Sequence, residues 1–149
     1  DIPQAVSLFK KHYSENLVNH TDFYPHGRET LEHFKSKKQA ICSNKPEDFV
    51  RQILESLNGL HLFDAIIGGD SVKVKKPDPE GLNSILNQLN VSADEAVLIG
   101  DSPVDIETGK RAGVYTCVVN YGLGFEEEIA AAKPDCSIDC LSELEELFC

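Results

Sequence analysis

Two aspartates, Asp101 and Asp105, lie four residues apart just after an apolar run. The run 96–99 is typical of a strand buried on both faces, and a helix is predicted to begin near Pro103. One carboxylate at the strand end and a second in the first helical turn would both face the mouth of the sheet. Mg²⁺ prefers hard oxygen ligands of this kind. The alternative is that Asp101 caps the helix and Asp105 complements its dipole. Because capping does not explain a carboxylate placed directly after the strand, we favour metal binding.

The segment after residue 42 offers groups suited to binding an anion. Ser43 and Asn44 follow the apolar run 39–42 and precede a helix that opens at Pro46. A hydroxyl, an amide and backbone N–H groups at a helix N-terminus form a ready anion site. Simple N-capping explains the same two residues equally well, since Ser and Asn also favour that position. This loop alone therefore leaves both interpretations open.

Three lysines at positions 73, 75 and 76 form a basic loop in a chain that is otherwise acidic. We interpret Lys73 and Lys75 as solvated surface residues. Lys76 stands next to the rigid Pro77, and a lysine held in this way can neutralise a phosphate or the charge that develops on it. We therefore predict a functional role for Lys76.

The elements that must position these residues alternate between short apolar runs and amphipathic helical patterns. Such an alternation implies parallel strands joined by right-handed crossovers, so the predicted fold class is α/β with a doubly wound, Rossmann-like parallel sheet. In that class ligands bind beyond the carboxyl ends of the strands. The predicted strands are 39–42, 65–67, 96–99, 115–119 and 136–138, and the predicted helices are 46–59, 79–89, 103–112, 126–132 and 142–148.

Two further helix predictions concern the ends of the chain. Apolar residues spaced three or four apart predict one amphipathic helix over residues 1–20, which Pro25 and Gly27 then separate from the rest. At the other end, Ser142 and Glu145 are predicted to form a capping box that opens the last helix.

The three polar loops each follow a successive strand, so a parallel sheet would gather their side chains at one edge. The hydroxyl of Ser43, the ammonium of Lys76 and the carboxylates of Asp101 and Asp105 would then meet there. Together these groups predict a phosphate site assisted by Mg²⁺.

The composition of the 149 residues suits one domain and limits its partners. Fourteen Lys and Arg against 25 Asp and Glu leave a formal charge of −11, which argues against binding to nucleic acid. The apolar stretches are far shorter than the ~20 residues of a membrane helix, so we expect no membrane partner. Five Cys without framework spacing favour a reducing, cytoplasmic setting, and we do not interpret Cys136 and Cys140 as a metal pair.

Three motifs in order make the chain resemble the haloacid dehalogenase superfamily, and more narrowly its phosphoglycolate phosphatase branch. They are 41–44 (ICSN), 76–79 (KPDP) and 99–105 (IGDSPVD). The resemblance extends over residues 23–147, nearly the whole chain. Supporting pieces are 66–70 (IIGGD), 110–113 (KRAG) and 121–124 (YGLG).

The resemblance implies hydrolysis of small phosphate monoesters, such as 2-phosphoglycolate, through an aspartyl-phosphate intermediate. Ser43 would hydrogen-bond the transferring phosphoryl group, with Asn44 beside it as a further phosphate-binding residue. Lys76 would balance the phosphoryl charge and hold the nucleophile. Asp101 would bind Mg²⁺ directly, and Asp105 would support the metal directly or through water. These roles agree with phosphoryl transfer, which mostly needs positioning and charge neutralisation.

The chain departs from the family at the nucleophile. The family places its nucleophile and general acid in an Asp-x-Asp motif on the first strand, and no such motif precedes Ser43 here. We therefore expect residues 1–22 to be a remnant of the helical cap and residues 23–149 to be a core that lacks its first strand. Loss of that central strand would leave two strand edges unpaired. We expect a partner in the missing N-terminal segment of the same polypeptide, and no turnover by the 149 residues alone.

Other functions stay open at this point. The same fold serves sugar-phosphate mutases, phosphonate hydrolases and pyrophosphatases, and the cap that selects the substrate is mostly absent from the sequence. A catalytically inactive binding module would explain the missing Asp-x-Asp, although the presence of Ser43, Lys76, Asp101 and Asp105 argues against a decayed site. A dinucleotide-binding domain is set aside, because no G-x-G-x-x-G turn follows a strand.

Overall fold

The computed structural model describes residue 4, residues 21–122 and residues 124–148. The helix predicted over 1–20, and with it most of the predicted cap remnant, lies outside the described residues apart from residue 4.

Five strands and six α-helices alternate along the described chain. The strands are β1 (Ala40–Cys42), β2 (Ala65–Ile67), β3 (Val97–Gly100), β4 (Tyr115–Val119) and β5 (Cys136–Ile138). The helices are α1 (Gly27–His33), α2 (Glu47–Ser56), α3 (Glu80–Leu89), α4 (Pro103–Ala112), α5 (Glu126–Ala132) and α6 (Leu144–Leu147), with short 3₁₀ turns at Leu60–Leu62, Ala93–Glu95 and Leu141–Glu143. All five predicted strands are confirmed to within a residue at each end. Helix α1 was not predicted, because its seven residues contain only one large apolar side chain, Leu31.

The strands form two parallel sheets. One sheet pairs β1 with β2, with Ile41 opposite Ile66, and the other has the order β3-β4-β5, with Ile99 opposite Cys117. Within the described residues, no strand pairing joins β1 to β3. The α/β class with parallel strands is confirmed, and β1 and β3 are each paired along one edge.

The single pairing of β3 overturns one expectation about its burial. The run 96–99 was predicted to be buried on both faces, but β3 is only half-buried and Ile99 is 40% exposed. In contrast, β4 has a partner on both edges, and its residues 116–119 are all buried. The same apolar pattern thus gives different burial, because burial depends on what lies beside the strand.

The start of the last helix also differs from the prediction. Glu143, rather than Glu145, closes the capping box, and its carboxylate accepts the backbone N–H of Cys140 at 2.7 Å and that of Asp139 at 2.8 Å. Cys140 therefore takes the N-cap position that was assigned to Ser142, and the first turn is 3₁₀ before α6 begins. Two backbone donors converging on one carboxylate explain the earlier start.

Three apolar clusters hold the layers together. The cluster beneath β4 and β5 has Cys117, Val119, Ile138 and Leu144 at its centre. A second, between α2 and β2, contains Val50, Leu54 and Ile66, and a third, between α4, β4 and α5, contains Ile106, Val118 and Ile129. These clusters fix the helices against the strands and so fix the loops at the strand ends, where the polar residues lie.

Candidate functional site

A buried ion pair joins the loop after β2 to helix α4. The Lys76 ammonium Nζ lies 2.6 Å from Oδ1 of Asp105, and the two side chains are only 14% and 12% exposed. Burial by itself raises the pKa of the Asp105 carboxyl, but the charge and hydrogen bond of Lys76, together with the hydrogen bonds from Ser102 and the Asp101 backbone, outweigh it, so that the pKa is lowered. Asp105 is therefore ionised at neutral pH and paired with the lysine.

The second oxygen of Asp105 is bonded to the loop that precedes α4. Oδ2 accepts the Ser102 hydroxyl at 2.8 Å and the backbone N–H of Asp101 at 3.1 Å. The two donors lie just before the first residue of α4, where a carboxylate also complements the helix dipole. A Cβ on Gly100 would collide with the Asp105 side chain, so the glycine at the end of β3 permits this approach. The sequence did not identify Ser102, although a hydroxyl three residues before an acid at a helix start is a recognisable capping signal.

The loop after β1 meets the lysine loop through Asn44. Its side-chain Oδ1 accepts the backbone N–H of Lys76 at 2.9 Å, and its Nδ2 donates to the backbone carbonyl of Lys76 at 3.2 Å. The neighbouring Ser43 continues the β1–β2 ladder through its N–H, which bonds Ile67 at 2.9 Å, and its hydroxyl accepts the N–H of Lys45 at 3.1 Å. The structure thus connects the first two predicted loops directly.

Cys42, the last residue of β1, shows how near this strand end is to the ion pair. Burial raises the pKa of its thiol most, while the Lys76 ammonium lowers it and the Asp105 carboxylate raises it. Both charges therefore act on the end of β1. The predicted residues Ser43, Asn44, Lys76, Asp101 and Asp105 form one connected group through sequence neighbours and hydrogen bonds.

Asp101 is held from the other side by the loop after β4. Its backbone carbonyl accepts the N–H of Gly124 at 2.9 Å. A Cβ on Gly122 would collide with the Asp101 side chain, so this loop can close on the aspartate only because residue 122 is glycine. Beside it the ring of Tyr121 stacks edge-on with that of Tyr24 at 5.1 Å. The sequence pattern 121–124 marked this loop without indicating its contact with Asp101.

Replacing Gly122 by Ala should displace Asp101, because the added methyl group overlaps its side chain. We expect a loss of about 1–3 kcal/mol in the free energy of unfolding, measured by urea denaturation. Gly27→Ala is the matched control, since its nearest neighbour would lie at 3.4 Å, an ordinary contact. Equal stability of the two variants would contradict the close packing of this loop.

The donor set at this edge fits Mg²⁺ in part. No group of three or more His, Cys, Asp or Glu suited to a metal occurs within the described part of the chain. Mg²⁺, however, is commonly held by one or two carboxylates together with substrate phosphate and water. Asp101 supplies a carboxylate at the strand end, and Asp105 supplies a second in the first turn of α4, where its oxygens accept hydrogen bonds from Lys76, Ser102 and the Asp101 N–H. Two carboxylates at one edge fit this mode of binding.

The two lysines interpreted as surface residues, Lys73 and Lys75, belong to the same loop as Lys76. The backbone N–H groups of Lys73 and Val74 both donate to the Glu80 carboxylate at 3.1 Å, so this part of the lysine loop is tied to α3. Lys73 and Lys75 are exposed.

Among the helices that the structure describes, none is long and apolar enough to cross a membrane.

The chain is similar in sequence to hydrolases and phosphatases. A model of haloacid dehalogenase-like hydrolases matches residues 2–119. Phosphoglycolate phosphatase of Aquifex aeolicus is 40% identical over 147 residues, which cover 97% of this chain and 68% of that protein. The phosphoglycolate phosphatase of Salmonella typhi is 36% identical over 139 residues, covering 92% of this chain and 55% of that protein. The chain therefore spans between about half and two thirds of these relatives.

Solved structures agree with the sequence relatives. The crystal structure described as a predicted phosphoglycolate phosphatase from Haemophilus somnus superposes with a TM-score of 0.87 at 31% identity, covering 93% of this chain and 63% of that one. A HAD-superfamily hydrolase from Geobacter sulfurreducens superposes with a TM-score of 0.79 at 22% identity, covering 91% of this chain and 65% of that one. The second likeness concerns the fold alone.

Proposed function

The chain belongs to the haloacid dehalogenase-like hydrolase family, and on this basis we propose that it forms most of the phosphate site of a Mg²⁺-dependent phosphatase. The observation that carries the proposal is the 2.6 Å ion pair between Lys76 and Asp105, which links the loop after β2 to the first turn of helix α4 at one edge of the fold. The relatives named phosphoglycolate phosphatase make 2-phosphoglycolate the first substrate to test.

Each residue has a role that its surroundings support. The Ser43 hydroxyl, which follows β1, donates to an oxygen of the transferring phosphoryl group. The Lys76 ammonium neutralises the charge that develops on that group, and Asp105 holds the ammonium in place. Asp101 presents a carboxylate to Mg²⁺ at the end of β3. When bound, the metal supplies further charge neutralisation and orients the phosphoryl oxygens.

We place the nucleophile on a strand outside these 149 residues that adds between β1 and β3. Within the described residues each of these strands is paired along one edge, and Ile99 of β3 is 40% exposed. The segments that follow them are nevertheless linked through the loop after β2, because Asn44 bonds the backbone of Lys76 and Lys76 pairs with Asp105 of α4. A parallel strand inserted there would pair both edges and bring its carboxyl end to the same group of residues. Residues 1–22 would then belong to a helical cap and residues 23–149 to the core.

The proposal is tested by comparing the 149-residue chain with the full-length gene product. Release of inorganic phosphate from 2-phosphoglycolate is measured with Mg²⁺ and after removal of metal with EDTA. We expect hydrolysis by the full-length product in Mg²⁺, loss of it in EDTA, and none by the 149 residues alone. The same assay is run on a panel of sugar phosphates. A full-length product that binds 2-phosphoglycolate or these sugar phosphates but releases phosphate from none of them would indicate a binding module instead.

A further inference from the structure

The side chain of Asn44 bonds both backbone groups of one residue. Its carbonyl oxygen accepts the N–H of Lys76 at 2.9 Å, and its amide nitrogen donates to the C=O of the same lysine at 3.2 Å. Only this orientation of the amide satisfies both bonds, since a flipped amide would place donor against donor and acceptor against acceptor. Asn44 thus holds Lys76 much as a neighbouring strand would.

The loop around Lys76 has further hydrogen bonds, but they lie at its other residues, such as Lys73 and Val74, which donate to Glu80. Residues 68–79 contain neither helix nor strand. Other bonds join an earlier part of this loop to the loop after β1 and to the start of α2. Gly69 donates to the Lys45 carbonyl at 2.8 Å, the Glu47 N–H donates to Asp70 at 2.7 Å, and the Ser71 hydroxyl donates to Glu47 at 2.6 Å. Among the hydrogen bonds of the described residues, those from Asn44 are the ones that tie the Lys76 backbone to a different loop.

The position of the Lys76 backbone decides where its ammonium can reach. The lysine side chain has a flexible four-carbon stem. Its ammonium therefore stays near Asp105 at low entropic cost only if the Cα of Lys76 is held. The Asn44 amide provides that hold, while the 2.6 Å ion pair holds the tip. The two contacts fix the lysine at both ends.

We infer that Asn44 is a positioning residue, which acts by holding the backbone of Lys76. It is not the phosphate ligand that its place beside Ser43 suggested. The inference deepens the proposed function and rests on it for the consequence in catalysis. Its physical core, the effect of Asn44 on the Lys76–Asp105 pair, does not depend on hydrolysis.

The test measures the coupling between Lys76 and Asp105 with and without Asn44, in the full-length gene product. Lys76→Met, Asp105→Asn and the double variant are made with Asn44 present and in an Asn44→Ala background, and unfolding is followed in urea. We expect the coupling, expressed as a ratio of unfolding equilibrium constants, to fall at least about five-fold when Asn44 is replaced. Ser71→Ala, which removes a bond between the lysine loop and the start of α2, should leave the coupling unchanged.

Kinetics provide the readout that a purely structural role would not change. For Asn44→Ala we expect kcat to fall at least about ten-fold while KM changes less than about three-fold, because Lys76 acts on charge that develops in the transition state. A phosphate ligand would instead raise KM for the ester. Asn44→Ser, which is small, polar and too short to reach both backbone groups, serves if the alanine variant does not fold.

The outcomes separate the inference from the proposed function. Unchanged coupling in the Asn44→Ala and Asn44→Ser backgrounds overturns the inference even if the protein is a phosphatase, and so does a rise in KM alone. Reduced coupling in a protein that releases no phosphate supports the positioning of Lys76 by Asn44 and refutes the proposed phosphatase function.

Discussion

The free energy of unfolding should fall by about 3 kcal/mol when Lys76 is replaced by Met. The substitution keeps the length of the side chain but leaves Asp105 ionised and buried without its partner, and loss of one member of a buried pair is strongly destabilising. Lys75→Met is the matched control, since Lys75 is the exposed neighbour of Lys76 on the same loop. We expect this substitution to change the free energy of unfolding by no more than about 0.5 kcal/mol. Urea denaturation of the two variants provides the measurement.

The double variant Lys76→Met/Asp105→Asn should be more stable than the sum of the single effects predicts. Asn at position 105 still offers an oxygen to the N–H of Asp101 and to the Ser102 hydroxyl, while the unpaired charge is gone. A coupling energy of roughly 2 kcal/mol is expected for such neighbours. Strict additivity of the two substitutions would show that the pair does not interact.

The contribution of this pair depends on pH in a direction that follows from the pKa of Asp105. Because the folded protein lowers that pKa below its ordinary value of 3.8, the ionised carboxylate stabilises the fold fully above the ordinary value. The stabilisation is lost as the pH falls below 3.8 through the lowered pKa. The stability difference between the native protein and Asp105→Asn should therefore be constant near neutral pH and shrink in acid.

Hydrolysis of 2-phosphoglycolate by the full-length gene product should decrease about 10³-fold when Asp101 is replaced by Asn. A bound metal contributes several kcal/mol of charge stabilisation, and each 1.36 kcal/mol corresponds to a factor of ten. Asn has nearly the same shape and can keep the backbone contact with Gly124, so folding should change little. The decrease would therefore report on the metal rather than on the fold.

Direct titration with Mg²⁺ by calorimetry, in the presence of inorganic phosphate, completes this test. We expect binding by the native protein and none by Asp101→Asn. Asp94→Asn is the control, since Asp94 is an exposed acid in the 3₁₀ turn before β3. Activity or binding by the Asp101 variant equal to that of the control would refute the assignment of Asp101 as the metal ligand.

The motifs at the strand ends were recognisable because each lies next to a strong local signal. The apolar runs located β1, β2 and β3, and Pro103 at the first position of α4 located the loop that contains Asp101. Since side chains at the ends of parallel strands share one edge of the sheet, chain order alone predicted that Ser43, Lys76 and Asp101 meet there. These inferences need only local propensity and the handedness of crossovers.

Two failures of prediction concern contacts that the apolar pattern of a segment does not show. The half-exposure of Ile99 reflects the fact that, within the described residues, no strand pairs with the second edge of β3, and the same run would be buried with a strand there. The capping box at residues 140–143 was displaced because the N–H of Asp139, which belongs to the preceding turn, shares the Glu143 carboxylate. Neither effect is visible in the periodicity of one segment.

The sequence by itself determined the class of the fold, the order of its strands and helices and the residue types at the strand ends, because these follow from periodicity, capping and turn residues. Only the tertiary structure decided what each polar side chain bonds. It directs Asn44 onto the backbone of Lys76, pairs Lys76 with Asp105 and closes the loop of Gly122 on Asp101. Hydrogen bonds and buried charges depend on distances of a few ångströms between residues that are 21 to 32 positions apart in these contacts, and spacing along the chain does not set those distances.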